Sequence, residues 1–234
     1  MSLPARRTAI LATLLSVALL LVACGEDAGE VTAGTSPSPS ATSSATVTPS
    51  PTPSTTTGWA GTPLAEPLPV GAFTLTDQWG DPFRFPKDTD GRVTLLYFGY
   101  THCADICPGT LAAIAVALRG LPPEVAEQVD VVFATVDPAR DTEEVVRDWV
   151  GLFSDDFTGL TGTQEEVEAA LATYGFGPPE IFDLGGGEYT VGHPAGVLAF
   201  TPDGLAHVEY PFGVTVEGWQ RDLAKLVEDG WEEP

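Results

Sequence analysis

The chain has 234 residues, with 33 Asp and Glu against 10 Lys and Arg and a formal net charge of -23 at pH 7. A chain this acidic repels nucleic-acid phosphates, which excludes DNA and RNA as partners and favours a cation or a protein with a basic face; the same acidity also serves plain solubility. Three cysteines are too few for a disulfide-stapled scaffold, and the length allows one ordinary domain plus appendages.

Residues 1–23 begin with Arg6 and Arg7 and continue as an apolar run from Ile10 to Val22, the layout of a signal peptide. The run is short for a span, since crossing the hydrocarbon core takes about 20 apolar residues. It closes on Leu21-Val22-Ala23-Cys24, which resembles the lipobox of bacterial lipoproteins, so Cys24 is expected to be acylated and to become the new N-terminus. An uncleaved anchor helix is the alternative. Both readings place the remainder outside the cytoplasm and hold it at the cell membrane. Residues 24–58 are rich in Ser, Thr and Pro and carry no aromatic residue before Trp59. Such a segment buries too little apolar area to offset its ordering entropy, so it reads as a tether with a reach on the order of 35 Å.

Residues 59–234 read as one globular domain. Gly71–Asp77 and Pro82–Phe85 flank the turn signal Gln78-Trp79-Gly80-Asp81 and predict a hairpin. Val93–Tyr100 (VTLLYFGY) is a nearly continuous apolar run, as expected of a central strand buried on both faces. THCADIC follows, then an Ala- and Leu-rich helix from Pro108 to Gly120. Val129–Val136 predicts another buried strand. Asp141-Thr142-Glu143-Glu144 reads as Asp141 capping a helix that runs to Phe153, and Thr163-Gln164-Glu165-Glu166 opens a second helix to about Tyr174. Val197–Phe200 and Leu205–Tyr210 flank the turn Thr201-Pro202-Asp203-Gly204, and Val214–Val227 closes the chain as an amphipathic helix. The order is hairpin, β, α, β, α, α, β-hairpin, α. It predicts an α/β domain with a central mixed sheet flanked by helices. A strand leading into a cysteine pair at a helix start, with βα and a late ββα after it, is the reading of a thioredoxin-like fold.

Cys103 and Cys107 are four positions apart. In a helical turn such residues lie one above the other with Cα atoms about 6 Å apart, within disulfide reach or able to share one ion. A helix N-terminus favours the thiolate, the form that attacks disulfides and binds metals. Two sulfurs do not complete a metal site, so the histidines become candidates for a third ligand. His102 reads as a polar loop residue and His207 as an ordinary surface residue of a strand. His193 lies in Tyr189–Pro194, read as a loop before the strand at Val197; in a thioredoxin-like fold that loop faces the active helix start. A Cys2His set suits copper better than calcium, magnesium or a closed zinc site. A redox dithiol, with Cys103 attacking and Cys107 resolving, stays open on the same residues, as does an acidic binding module whose disulfide never opens.

Gly99-Tyr100-Thr101-His102-Cys103-Ala104-Asp105-Ile106-Cys107-Pro108, then Val136-Asp137-Pro138-Ala139-Arg140-Asp141-Thr142, then the late His193 before Pro202-Asp203-Gly204, resemble the Sco/SenC family of copper chaperones. The resemblance implies a thioredoxin-like domain tethered outside the cytoplasm that binds one copper ion, as Cu(I) or Cu(II), through Cys103, Cys107 and His193. It further implies delivery of copper to, or reduction of the cysteines of, the binuclear copper centre in cytochrome c oxidase subunit II, or service to another extracytoplasmic copper protein. Asp137 is either a neighbour of the metal ligands or the cap of the loop after its strand, and Arg140 is placed to pair with an acid. Gly192 and Pro194 stand where the family often has Asp and Ser around the histidine, and the lipoprotein start replaces the family's usual transmembrane helix.

Overall fold

Strand β4 (Val93–Gly99) is buried at every residue, because alternate side chains serve two different cores. Val93, Leu95 and Tyr97 enter one apolar cluster, and Leu96 and Phe98 enter the other. The neighbouring strand β5 (Val129–Thr135) does the same, with Val131 and Phe133 on one side and Val132 and Ala134 on the other. This is why both segments lack the apolar–polar alternation of a half-exposed strand.

The computed structural model describes residues 58–89 and 91–231. The expected signal peptide, Cys24 and nearly all of the tether lie outside the described residues. Among the described residues, no helix is long and apolar enough to cross a membrane.

Eight strands form one mixed sheet. In chain order they are β1 (Thr62–Pro69), β2 (Phe73–Asp77), β3 (Pro82–Phe85), β4, β5, β6 (Thr158–Thr161), β9 (Val197–Phe200) and β10 (Leu205–Tyr210). Between β6 and β9 a separate two-stranded ribbon is made by β7 (Glu180–Gly185) and β8 (Glu188–Gly192). Across the large sheet the order is β1-β10-β9-β4-β5-β6-β2-β3. β4, β5 and β6 are parallel, and the outer pairings are antiparallel. Helices α1 (Ile106–Gly120), α3 (Glu143–Val150) and α5 (Val216–Glu228) contribute to the cluster on one face, through Leu111 and Ile114, Val146 and Val150, and Trp219, Leu223 and Leu226. Helix α4 (Gln164–Ala172) covers the other face with Val167 and Leu171, and a single turn, α2 (Pro123–Ala126), joins α1 to β5. The expected α/β thioredoxin-like fold with a mixed sheet flanked by helices is the fold observed.

Several elements differ in detail from the sequence reading. The cap of α3 is Thr142, whose hydroxyl accepts the Val145 amide, and not Asp141, which is buried and committed to other partners. Thr163 and Glu166 form the expected reciprocal capping box of α4. Residues 189–192, read as part of a loop, belong to strand β8 (Glu188–Gly192). His207 is buried, not a surface residue: its Nε2 lies 2.7 Å from the Asp203 carboxylate, and its ring stacks on Trp231 with centroids 5.0 Å apart.

Candidate metal centre

The C-terminal end of β4 sets the site. Tyr97 points into the core beneath α1, and its hydroxyl donates to Cys107 Sγ at 3.4 Å. Gly99 follows because nothing larger fits: a Cβ there would lie 2.9 Å from Cys107 Sγ and 2.7 Å from the Phe133 ring. The chain then turns through Thr101–Asp105 into α1, where Cys107 occupies the first turn, fully buried, while Cys103 stays half-buried at the rim.

Helix α1 starts at Asp105 without a side-chain cap. The sulfur of Cys103 does that work, accepting the Cys107 amide at 3.4 Å. Amide N–H groups aimed at a sulfur favour its charged form. A hydrogen bond from the Cys107 thiol is the largest influence on Cys103; with His193 and the amides of Cys107 and Asp105 it outweighs burial and brings the Cys103 thiol down to about 4. The same hydrogen bond, given by Cys107 as donor, pushes Cys107 up, and burial adds to it. The reduced pair is therefore one half-exposed thiolate and one buried thiol.

His193 immediately follows β8 and comes to these sulfurs from across the fold. Its Nε2 is 3.6 Å from Cys107 Sγ. Its Nδ1 lies 2.9 Å from the Phe98 carbonyl and 2.8 Å from that of Pro194. Both partners are acceptors, so Nδ1 carries a proton and Nε2 is the atom offered to a metal. Burial alone would lower the imidazole, but hydrogen bonding to the Cys103 sulfur and to the two carbonyls outweighs it, and the pKa sits above the ordinary value. Tyr97 and Tyr100 stand edge-on to the imidazole, with centroids 6.3 and 5.6 Å away.

The ligand atoms of Cys103, Cys107 and His193 all lie within 4.8 Å of one another. Two sulfurs and one imidazole nitrogen, with no fourth His, Cys, Asp or Glu in the group among the described residues, match a soft ion of low coordination number and not a closed four-ligand zinc site.

Asp137 is not one of these ligands. Its carboxylate takes the Arg140 guanidinium on one oxygen and the Tyr189 hydroxyl, at 2.9 Å, on the other. Arg140 also donates to the Tyr189 carbonyl at 3.2 Å and lies 3.5 Å from the centroid of the Tyr189 ring. Asp137 thus fastens the start of β8, four residues ahead of His193, while its backbone carbonyl accepts the Arg140 and Asp141 amides and closes the loop after β5. The backbone of Asp137 closes the loop after β5, and its side chain reaches Arg140 and Tyr189, not the sulfurs or the imidazole.

The residue that sequence reasoning missed is Asp141. Its fully buried carboxylate accepts the Thr101 amide at 2.9 Å, the Thr101 hydroxyl at 2.6 Å and the Thr135 hydroxyl at 2.6 Å. Thr101 opens the loop that carries Cys103. His102 turns outward, half-exposed, with Nδ1 3.1 Å from the Thr101 hydroxyl, and stays apart from the metal group.

The family model for SCO1/SenC matches residues 62–228. The chain belongs to the SCO1/SenC family. Among curated relatives, the mouse mitochondrial SCO1 homolog is 36% identical over 146 residues, 60% of this chain and 50% of the mouse protein, so the chain spans about half the length of that relative. Among solved structures, apo Sco1 from Thermus thermophilus is 36% identical with a TM-score of 0.64, over 74% of this chain and 99% of that one. Bradyrhizobium japonicum ScoI, solved with copper bound, is 32% identical with a TM-score of 0.60, over 67% of this chain and 98% of that one. The SCO1/SenC match spans the whole region from β1 to α5, so the cysteine turn and the late histidine lie on one matched domain.

Proposed function

We propose that this chain is a copper carrier that works outside the cytoplasm, held at the membrane by lipid on Cys24 and a Ser/Thr/Pro-rich tether. Its cargo is one copper ion bound by Cys103, Cys107 and His193. Its acceptor is the binuclear copper centre of cytochrome c oxidase subunit II, to which it delivers copper or whose cysteines it reduces. The observation that carries this reading is the convergence of two cysteine sulfurs and an imidazole nitrogen within 4.8 Å, with the imidazole already oriented through Nδ1. Two sulfurs suit Cu(I), and the added nitrogen extends the set to Cu(II). Loading releases the proton of the Cys107 thiol and any proton on His193 Nε2, so affinity rises with pH.

Anaerobic titration of the reduced protein with Cu(I) against a chromophoric chelator tests the reading. One tight equivalent, lost in Cys107→Ala, is the expected result. No binding by the wild type would end the carrier reading.

A second reading rests on the asymmetry of the cysteines. A half-exposed Cys103 thiolate above a buried Cys107 thiol is the layout of an attacking and a resolving sulfur in thiol–disulfide exchange. The reduction potential of the pair decides whether this chemistry accompanies transfer. A value too oxidising to reduce a partner disulfide would remove it.

A further inference from the structure

Strand β7 is hydrogen-bonded along one edge. It pairs with β8 in a ribbon separate from the main sheet, so among the described residues no strand lies against its outer edge. All six of its residues are exposed. Three are large and apolar: Ile181 and Leu184 at 68% exposure and Phe182 at 49%. Open edges are ordinarily guarded by Lys, Pro or a bulge, because their free N–H and C=O groups are a template for another strand. Here the charges on the ribbon are all acidic, Glu180, Asp183 and Glu188, and the one irregularity, between Asp183 and Gly185, sits at the glycine tip. Glu180–Asp183 remain in regular register with β8.

This ribbon is continuous with the metal centre. Strand β8 ends at Gly192, and His193 is the next residue. The Phe182 ring lies against Gly192, 3.2 Å from where a Cβ would stand. The body grips β8 through Tyr100 and Thr190, whose hydroxyls are 2.7 Å apart, and through Tyr189, leaving β7 as the outward strand.

We infer that the free edge of β7 receives an extended segment of the protein that accepts the metal, added as a third strand of the ribbon. The inference rests on the carrier reading and deepens it by naming how the acceptor docks. Backbone hydrogen bonds to β7 supply the affinity, and alternate side chains supply the specificity. Apolar side chains of the segment cover the exposed Phe182 and Leu184. Basic side chains flank them opposite Glu180, Asp183 and Glu188. Load on the ribbon then reaches His193 directly, while the two sulfurs stay fixed at the start of α1, Cys107 within its first turn and Cys103 in the loop before it.

The probe is the apo copper-binding domain of subunit II from the same organism, mixed with the Cu(I)-loaded full chain. In the double variant Phe182→Ser/Leu184→Ser, Cu(I) affinity should match the wild type while the transfer rate falls tenfold or more. Amide hydrogen exchange of residues 180–184 should slow in the wild type when the domain is added. If the wild type transfers copper and the variant transfers equally well, with no protection of β7, the docking inference is overturned and the carrier reading stands. If the variant loses Cu(I) itself, the ribbon belongs to metal binding and the inference is also overturned. Protection of β7 by dimerisation without the domain would give the edge to a second copy instead. No transfer from the wild type would remove subunit II as acceptor, and this occupant with it.

Discussion

Replacing Asp141 with alanine removes the acceptor of three hydrogen bonds from the Thr101 amide, the Thr101 hydroxyl and the Thr135 hydroxyl, all at 2.6–2.9 Å. Hydrogen bonds to a charged group contribute about 1.5–3 kcal/mol each. The sum overstates the loss, since both hydroxyls can turn to other acceptors and the buried carboxylate's own desolvation cost disappears with it. The Thr101 amide has no such freedom, and a net destabilisation of about 3 kcal/mol is expected. For a domain of this size that lowers Tm by about 6–12 °C. Because Thr101 opens the loop carrying Cys103, Cu(I) affinity should fall by about 10–100-fold, as for other groups that orient a ligand. Asp141→Asn is the control: its oxygen can keep the Thr101 amide and Thr135 hydroxyl, and its amide can donate to the Thr101 hydroxyl, so about 1 kcal/mol and little affinity should be lost. Thermal melts and Cu(I) competition titrations of both variants measure this. An alanine variant that melts within about 2 °C of the wild type and binds copper equally well would refute the reasoning.

Three further outcomes follow from the site. The Cys103 thiol titrates near 4, below its unfolded value of about 8.5, so the stability it contributes is complete above the unfolded value and is lost as pH falls toward 4; the denaturant midpoint of the reduced protein should drop more between pH 8 and pH 5 in the wild type than in Cys103→Ser, and equal drops would count against it. His193→Ala should retain Cu(I) on two sulfurs with weakened affinity and lose tight Cu(II), read by electron paramagnetic resonance; an unchanged Cu(II) signal would remove His193 from the ligand set. Gly99→Ala should cost about 1–3 kcal/mol and weaken Cu(I) binding, because its Cβ presses on Phe133 and on the Cys107 sulfur; a wild-type melt and affinity would show that the two buried neighbours yield without cost.

What was legible in the sequence was local. The run VTLLYFG announces a strand buried on both faces, and a cysteine pair after it, beside a helix start, announces the site. Thr163 and Glu166 carry their capping box within four residues. What stayed hidden depends on partners far along the chain. Asp141 and Thr142 are both good cap residues, and Thr142 takes the cap because Asp141 is held by Thr101, 40 positions away. His207 looks like any strand histidine until Trp231 stacks on it. Strand β1 carries Pro63, Pro67 and Pro69, which argue against a strand, yet it lies at the sheet's edge, where proline is tolerated. The ribbon did leave a signal: Ile181-Phe182-Asp183-Leu184 and Glu188-Tyr189-Thr190-Val191 flank three glycines, each with φ between 69° and 90°, a left-handed turn that only glycine adopts freely.

The ligands of the proposed carrier are divided between a stiff element and a compliant one. Cys107 sits in the first turn of α1 and Cys103 in the loop just before it, its sulfur tied to the helix by the Cys107 amide; Cys107 lies in the apolar cluster with Tyr97 and Leu111, and Gly99 leaves no slack beneath it. His193 comes at the end of a ribbon whose outer strand, among the described residues, is hydrogen-bonded only to its partner strand, and the ribbon is held to the body through β8, by polar bonds of Tyr189 and Thr190 and by Val191 in the second apolar cluster. Stretching such a ribbon costs less than unpacking a helix from a core. A carrier must release what it binds, and the cheapest route breaks one bond at a time. On the proposed function that first bond would be the nitrogen's, which would leave copper on two sulfurs, with half-exposed Cys103 the one a partner thiol can reach. The half-exposed Cys103 would then be the first point of contact with an acceptor, and buried Cys107 the sulfur that still holds the ion while the acceptor comes into place.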